Sequence, residues 1–275
     1  MSNDKVWIIT GCSTGFGREL AKATIDAGHK VVVTARNVHS IADLADGNTD
    51  SVLALELDVT KPDQVDRAVK AAIEKFGRID VLVNNAGVGY FSSIEEAVEE
   101  ETRKMFEINF WGLMQMTSAV LPIMRNQLSG HIINISSIGG LTSYPGVGYY
   151  NASKYAVEGI SESLAQEVAP FDIHVTLIEP SNFRTDWSGR SAARTSSAIK
   201  EYEQLISPFV NGETHGNEPG DPKKAAEAII SIAGSEEPPL RLLLGADAYH
   251  FAVKKYTESL KNFEKWKDVA VNADF

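Results

Sequence analysis

The hydrophobic positions of the chain fall into short, nearly unbroken runs. Between the runs lie longer stretches in which apolar residues recur every three or four positions. KVWIIT (5–10), KVVVTA (30–35), VLALELD (52–58), IDVLVNNAG (79–87), HIINIS (131–136), IHVTLIE (173–179) and LRLLLG (240–245) are rich in β-branched side chains and leucine, with little polar alternation. Such runs predict strands buried on both faces, as in a parallel sheet. The intervening periodicity predicts helices over 15–28, 41–46, 62–77, 99–128, 149–169, 198–207, 222–234 and 249–264. Pro62 and Gly77 bracket one of them as start and stop signals. Pro122, inside 99–128, predicts a kink or break there. Seven strands alternating with helices predict an α/β fold, a doubly wound seven-stranded parallel sheet with helices on both faces. No internal repeat, low-complexity tract or linker interrupts the pattern, so a single domain over 1–275 is expected. The polar stretch 186–218 then forms a lid segment over the substrate.

Composition narrows the partners. The 275 residues carry a formal net charge of -11, which argues against nucleic acid or an anionic membrane as the main partner. The single cysteine, Cys12, excludes an intrachain disulfide and fits a reducing, cytoplasmic setting. The N-terminal MSNDKVWIIT lacks the pattern of a signal peptide, and no apolar run reaches the ~18 residues of a membrane span. The six histidines (29, 39, 131, 174, 215 and 250) show no metal-ligand spacing, so no metal site is expected.

The first strand runs into TGCSTGFG (10–17). Strand, glycine-rich turn and helix are the setting in which backbone N–H groups and a helix N-terminus receive a pyrophosphate. Gly11 serves the tight turn; Gly15 and Gly17 allow close approach, with Phe16 between them. Ser13 and Thr14 add hydroxyl donors. The fold expectation is therefore Rossmann-type. NAD sites usually carry an acid at the end of the second strand; here the strand ends in Ala35 and Arg36. A guanidinium pairs with a 2′-phosphate, so NADP is expected over NAD.

YYNASK (149–154) supplies the chemistry. Residues i and i+4 share a helix face, which pairs Tyr150 with Lys154 and Tyr149 with Ser153. An ammonium beside a phenol favours the phenolate, so Lys154 is expected to lower the pKa of Tyr150. A phenol so tuned passes a proton to or from a substrate oxygen while a nicotinamide handles the hydride. Ser136 and Ser137 end a predicted strand at its carboxyl end, where ligands sit in open α/β sheets.

TGCSTGFG, LDVT (57–60), NNAG (84–87), the asparagine of FEINFWG, the serine of NISS and YNASK, in this order and spacing, resemble the single-domain short-chain dehydrogenase/reductases over nearly the whole chain. GCSTGFG, TARN and EVAPFDIHVTLIEP are similar to the hydroxysteroid-dehydrogenase-like bacterial branch. The resemblance implies a catalytic set of Asn109, Ser137, Tyr150 and Lys154. Asn109 kinks its helix and holds a water through its backbone carbonyl. Ser137 bonds the substrate oxygen, and Tyr150 is the acid in reduction and the base in oxidation. Lys154 binds the nicotinamide ribose. On the cofactor side the resemblance implies Asp58 with Val59 at the adenine, and Asn85, Ala86 and Gly87 at the ribose. Thr185 goes to the carboxamide. The plain alternatives are a turn cap for Asp58 and an ordinary helix-face amide for Asn109; Asn84 reads as structural. Ser181 stands where the family has glycine, which puts the local loop geometry in doubt. The family usually forms homodimers or homotetramers.

The expected substrate is an apolar carbonyl or alcohol. Trp187, Tyr202, Leu205, Ile206 and Phe209 from the lid are candidates to line its site, with Tyr90, Phe91, Tyr144, Val147 and Tyr149. Two rivals share the scaffold: a non-catalytic NADP-binding sensor, and an epimerase or dehydratase. The C-terminal helix carries apolar residues on one face, available for the core or for an oligomer interface.

Overall fold

The computed structural model describes residues 4–189, 191–210 and 216–275; His215 and the side chain of Phe209 lie outside the described residues. Its strands are β1 (Val6–Ile9), β2 (Lys30–Ala35), β3 (Val52–Glu56), β4 (Val81–Asn84), β5 (Gly89–Phe91), β6 (Gly130–Ile135), β7 (Ile173–Pro180), β8 (Ala192–Arg194) and β9 (Arg241–Leu244). Its helices are α1 (Gly15–Asp26), α2 (Pro62–Phe76), α3 (Glu99–Phe106), α4 (Leu113–Gln127), α5 (Gly148–Val168), α6 (Lys200–Val210), α7 (Pro222–Ala233), α8 (Ala246–Lys265) and α9 (Lys267–Val271). Seven strands form one sheet in the order β3-β2-β1-β4-β6-β7-β9, and every pairing is parallel. This is the Rossmann-type α/β architecture expected from the buried runs.

Strand alternation divides the core in two. Trp7 and Ile9 of β1 join Val31, Val33 and Ile133 beneath α1 and α7, where Leu20 and Ile229 close the layer. Ile8 and Val32 face the other way, onto Val65 of α2, Met116 of α4 and Leu164 of α5. Both strand faces are therefore buried, and each such aliphatic side chain contributes about 1.5–3 kcal/mol on leaving water.

Several local outcomes differ from the sequence pattern. The 41–46 helix is a 3₁₀ segment, Val38–Leu44, begun by the Asn37 side chain accepting from the His39 N–H. Pro122 does not break its helix: α4 continues through it to Gln127. Pro122 and Ser118, the residue whose carbonyl loses its partner, are both exposed, so that carbonyl is open to solvent and not stranded in the core. The irregularity lies earlier, in a π-helical turn over Glu107–Gly112. The short strands β5 and β8 form a separate parallel pair that three-residue runs do not announce. The Tyr90 hydroxyl and Thr195 Oγ1 share a 2.7 Å bond beside it.

At the end of β7 the sheet buries an ionisable group. Glu179 is fully buried, and neither of its oxygens meets a donor in hydrogen-bonding geometry. Arg241 Nε stands 3.5 Å away and is bonded to Glu158 Oε2 at 3.0 Å, while its Nη2 reaches Glu162 at 2.8 Å. Burial first, and the charge of Glu158 second, push the Glu179 carboxyl up to about 8, with Arg241 opposing. Below that value Glu179 keeps its own proton and sits neutral in the core.

A carboxyl that binds its proton more tightly when folded costs stability as pH rises. The folded state holds more protons than the unfolded one from the ordinary glutamate range (about 4.3) up to about 8, so stability falls across that window and levels off above it. Replacing Glu179→Gln, which carries its own donors at every pH, is expected to flatten that slope in urea unfolding between about pH 5 and pH 9. A variant with the wild-type slope contradicts the assignment.

Candidate active site

The chain leaves β1 toward one edge of the sheet and returns at β4 to build the other half, so the loops after β1 and β4 diverge at the order reversal. Ligands bind at such points in open α/β sheets. Gly11, at φ 72°, makes the turn after β1. Asn85, after β4, crosses back: its Nδ2 donates to the carbonyls of Thr10 at 2.8 Å and Gly11 at 3.0 Å. Thr10 Oγ1 accepts from the N–H groups of both Asn85 and Ala86 at 2.9 Å. Gly17 packs into this junction so closely that a Cβ there meets Asn85 Nδ2 at 2.3 Å and the Gly11 carbonyl at 2.4 Å. Asn84, as its structural reading requires, points into the core and donates to Thr117 and Asn134 at 3.0 and 2.9 Å. Cys12 is buried, and burial pushes its thiol up to about 12, which makes it a packing residue and not a nucleophile.

A cleft of about 1300 Å³ runs along the carboxyl ends of the strands. Gly11, Ser13, Thr14, Gly15 and Phe16 line one wall, and Asn85, Ala86 and Gly87 face them across β1 and β4. Arg36 and Ser40 also line it. Arg36 is exposed, and its side chain makes no ion pair or hydrogen bond among the described residues. Asp58 and Val59 line the cleft as well. Asp58 also fulfils its plainer reading: its Oδ1 accepts from the Thr60 N–H at 3.0 Å and hydroxyl at 2.8 Å, capping the turn before α2. Thr185 sits against the glycine loop, 3.4 Å from a Cβ built on Gly15. Ser181 raises no strain: it is not among the residues with positive φ, and its N–H donates to the Leu244 carbonyl at 3.0 Å.

Helix α5 begins at Gly148 and puts Tyr150 in its first turn. The phenol is buried, with the Ser137 hydroxyl as its side-chain neighbour. Ser137 is held in place by the Gly139 N–H, which donates to its Oγ at 3.0 Å. Ser136 turns away, donating to Glu158 at 2.6 Å, so only the second serine of the pair serves Tyr150. Tyr149 packs against an apolar cluster. Lys154, one helical turn on, lies buried with Nζ donating to the Ile135 carbonyl at 2.8 Å and 5.7 Å from the Tyr150 ring centroid.

The electrostatics depart from expectation. Burial pushes the Tyr150 phenol up to about 12, and the Ser137 hydroxyl is the group that opposes it. The ammonium of Lys154 is anchored to a carbonyl and stands off the ring, so the expected lowering by Lys154 does not appear. Burial brings Lys154 itself down to about 8, with Glu158 holding it up. Both groups keep their protons at neutral pH. Asn109 is not an ordinary helix-face amide. It is buried in the π-helical turn, its Oδ1 accepting from the Val88 N–H at 2.8 Å and its Nδ2 donating to the Val88 carbonyl and to Ser153. Ser153 in turn donates to the Tyr150 carbonyl at 2.7 Å.

The apolar wall is narrower than the sequence suggested. The Trp187 ring lies 4.8 Å from the Tyr150 ring and 5.6 Å from Phe91, and Tyr90, Phe91, Tyr144 and Val147 also line the cleft. Tyr202 instead bonds Glu95 at 2.8 Å, Leu205 is exposed, and Ile206 is buried in the cluster behind Phe91. Sequence reading passed over Thr10 and Glu158. Thr10 reads as a strand terminus, and Glu158 gains meaning only through residues on β6 and β9.

The chain has relatives. The chain matches the short chain dehydrogenase family model over residues 5–195. It is 39% identical over 270 residues to oxidoreductase BOA17 of Botryotinia fuckeliana, covering 97% of this chain and 98% of that one. A short-chain dehydrogenase from Streptomyces avermitilis superposes with a TM-score of 0.92 at 39% identity, covering 100% of both chains. A 3-ketoacyl-(acyl-carrier-protein) reductase from Brucella melitensis, complexed with NADH, superposes with a TM-score of 0.73 at 29% identity, covering 88% of this chain and 96% of that one. A glycine-lined cleft at the switch point and a buried tyrosine–lysine turn thus stand in a chain that the family model matches over residues 5–195, and the protein belongs to the short-chain dehydrogenase/reductase oxidoreductases.

Proposed function

We propose that this chain is an NADP-dependent reductase/alcohol dehydrogenase that interconverts an apolar ketone or aldehyde and its alcohol. The observation that carries the reading is the convergence of a buried phenol, a serine hydroxyl and a buried ammonium at the carboxyl end of β6. The cleft continues from them to the glycine loop.

The residues fit a dinucleotide. The cradle at Gly11, Gly15 and Gly17 presents backbone and the first turn of α1 to a pyrophosphate. Asp58 and Val59 take the adenine end, Asn85, Ala86 and Gly87 border the ribose, and Thr185 holds the nicotinamide end. Arg36, with no competing partner among the described residues, supports the 2′-phosphate and hence NADP over NAD. When bound, the nicotinamide supplies or accepts the hydride.

In reduction, Ser137 donates a hydrogen bond to the substrate carbonyl oxygen and Tyr150 delivers the proton to it. The phenol is poised for that direction, because burial keeps it protonated at neutral pH. In oxidation Tyr150 takes the proton back, a task favoured by any positive charge placed beside it. Lys154 positions the ribose and keeps positive charge near the phenol, with Glu158 sustaining that charge. Asn109, through its backbone carbonyl in the π-helical turn, holds a water linked to Lys154. Trp187, Tyr90 and Phe91 exclude water and select an apolar substrate, with Ser191, Ala192 and Ala193 of the 186–218 segment bordering the same cleft. An apolar lining of this kind accords with the bulky ketones of a hydroxysteroid-dehydrogenase-like branch. The acidic chain with one buried cysteine suits the cytoplasm.

The reading is tested by following NADPH absorbance with a panel of apolar ketones. Tyr150→Phe should lose roughly 10²–10⁴-fold in turnover, the range of a positioned general acid, while NADPH fluorescence titration shows unchanged cofactor binding. Retained turnover removes the tyrosine from its role, and binding without turnover on any ketone favours the sensor reading. Arg36→Ala should weaken NADPH binding about 10–100-fold, the worth of a charge-assisted bond, and leave NADH affinity unaltered. Equal affinities for both cofactors before and after the change contradict the assignment to NADP.

A further inference from the structure

α8 carries a row of large apolar side chains that the described residues cover only in part. Tyr249, Val253, Tyr256, Leu260 and Phe263 are all exposed, from 47% for Val253 to 67% for Phe263. Their spacing is four, three, four, three, the 3.5-residue period of a helix that lies along another helix. The adjoining side of α8 is different: Ala248 and Ala252 are buried, packed with Ile138 and Leu141. The helix thus docks on its own sheet through small residues and holds its large ones beside that contact, facing out.

We infer that this seam is covered by the same seam of a second copy of the chain, running antiparallel about a two-fold axis near Tyr256. The periodicity asks for a helix as partner. An antiparallel pairing sets Tyr249 against Phe263 and Val253 against Leu260, with Tyr256 meeting its own counterpart. It also brings His250 of each copy toward Glu264 of the other, whereas parallel pairing aligns like charges. A lipid surface fits less well. Residues 246–275 hold five lysines against five Asp and Glu residues, in a chain of net charge -11, which leaves no excess positive charge to draw anionic lipid. The five side chains leave on the order of 100 Å² each uncovered. That is about 1000 Å² for the symmetric pair, the size at which specific interfaces begin, and Trp266, also exposed, lies at its edge. A patch of this extent left in water invites association.

The one native cysteine is buried, so introduced thiols report without background. Tyr256→Cys, on the axis, should form a disulfide-linked dimer under mild oxidant at about 10 µM protein. Lys265→Cys, on the opposite side of the helix, should not. The double change Leu260→Glu with Phe263→Glu touches only exposed positions; it should halve the sedimenting mass with an unchanged far-UV spectrum. Equal cross-linking at both cysteines, or at neither, overturns the proposal, as does an unchanged mass in the double variant. A wild type that sediments as a monomer and floats with phosphatidylserine vesicles overturns it in favour of a lipid surface.

Discussion

The junction of β1 and β4 is held by one amide and one hydroxyl. Asn85 spans to the Thr10 and Gly11 carbonyls, and Thr10 receives the next two N–H groups of the β4 turn. Four bonds within so few residues fix two loops that the sheet topology otherwise drives apart. The price of that closeness is a position without a side chain, Gly17, where α1 enters. Everything along the cleft, from Arg36 to Tyr150, is placed relative to this seam.

From that anchor the site is built by burial. The long helix α5 buries Tyr150, Lys154 and Glu158 on successive turns, so one face presents a phenol, an ammonium and a carboxylate in a row. Burial favours the neutral form of each group and pushes acid and base in opposite directions. The phenol rises to about 12 and the ammonium falls to about 8, which drives apart two groups whose ordinary values nearly coincide. Glu158 restrains the fall of Lys154, and it is itself tethered by Ser136 and Arg241. The tuning of the tyrosine–lysine turn therefore extends through the sheet to β9, where Arg241 serves three carboxylates.

The same division of labour shapes the outer surface. The body of the sheet has both faces covered by helices, whereas α8 sits at the β9 end with one apolar side still open. A helix kept in place by two alanines has little hold of its own, and a second helix laid along its large residues adds to it. The Glu179 and Arg241 group lies close by, since Tyr256 feels the charges of Arg241, Glu158 and Glu179. Assembly along α8 and the buried charges behind Lys154 thus adjoin one another.

The sequence by itself determined the sheet, most of its helices and the candidates for the chemical residues. Continuous β-branched runs have no stable home except a sheet covered on both sides, and the four-residue spacing of Tyr150 and Lys154 puts them on one helix face in any fold. Local pattern does not carry what depends on distance between strands. The pairing of β5 with β8, the turning of Ser136 toward Glu158, and the Thr10–Asn85 junction each join residues at least twenty positions apart. Pro122 shows the converse: its local signal was strong, yet exposure to water made the break unnecessary. The proton affinities were decided last, by tertiary structure alone, because desolvation depends on the whole surrounding core and not on the neighbour four residues away.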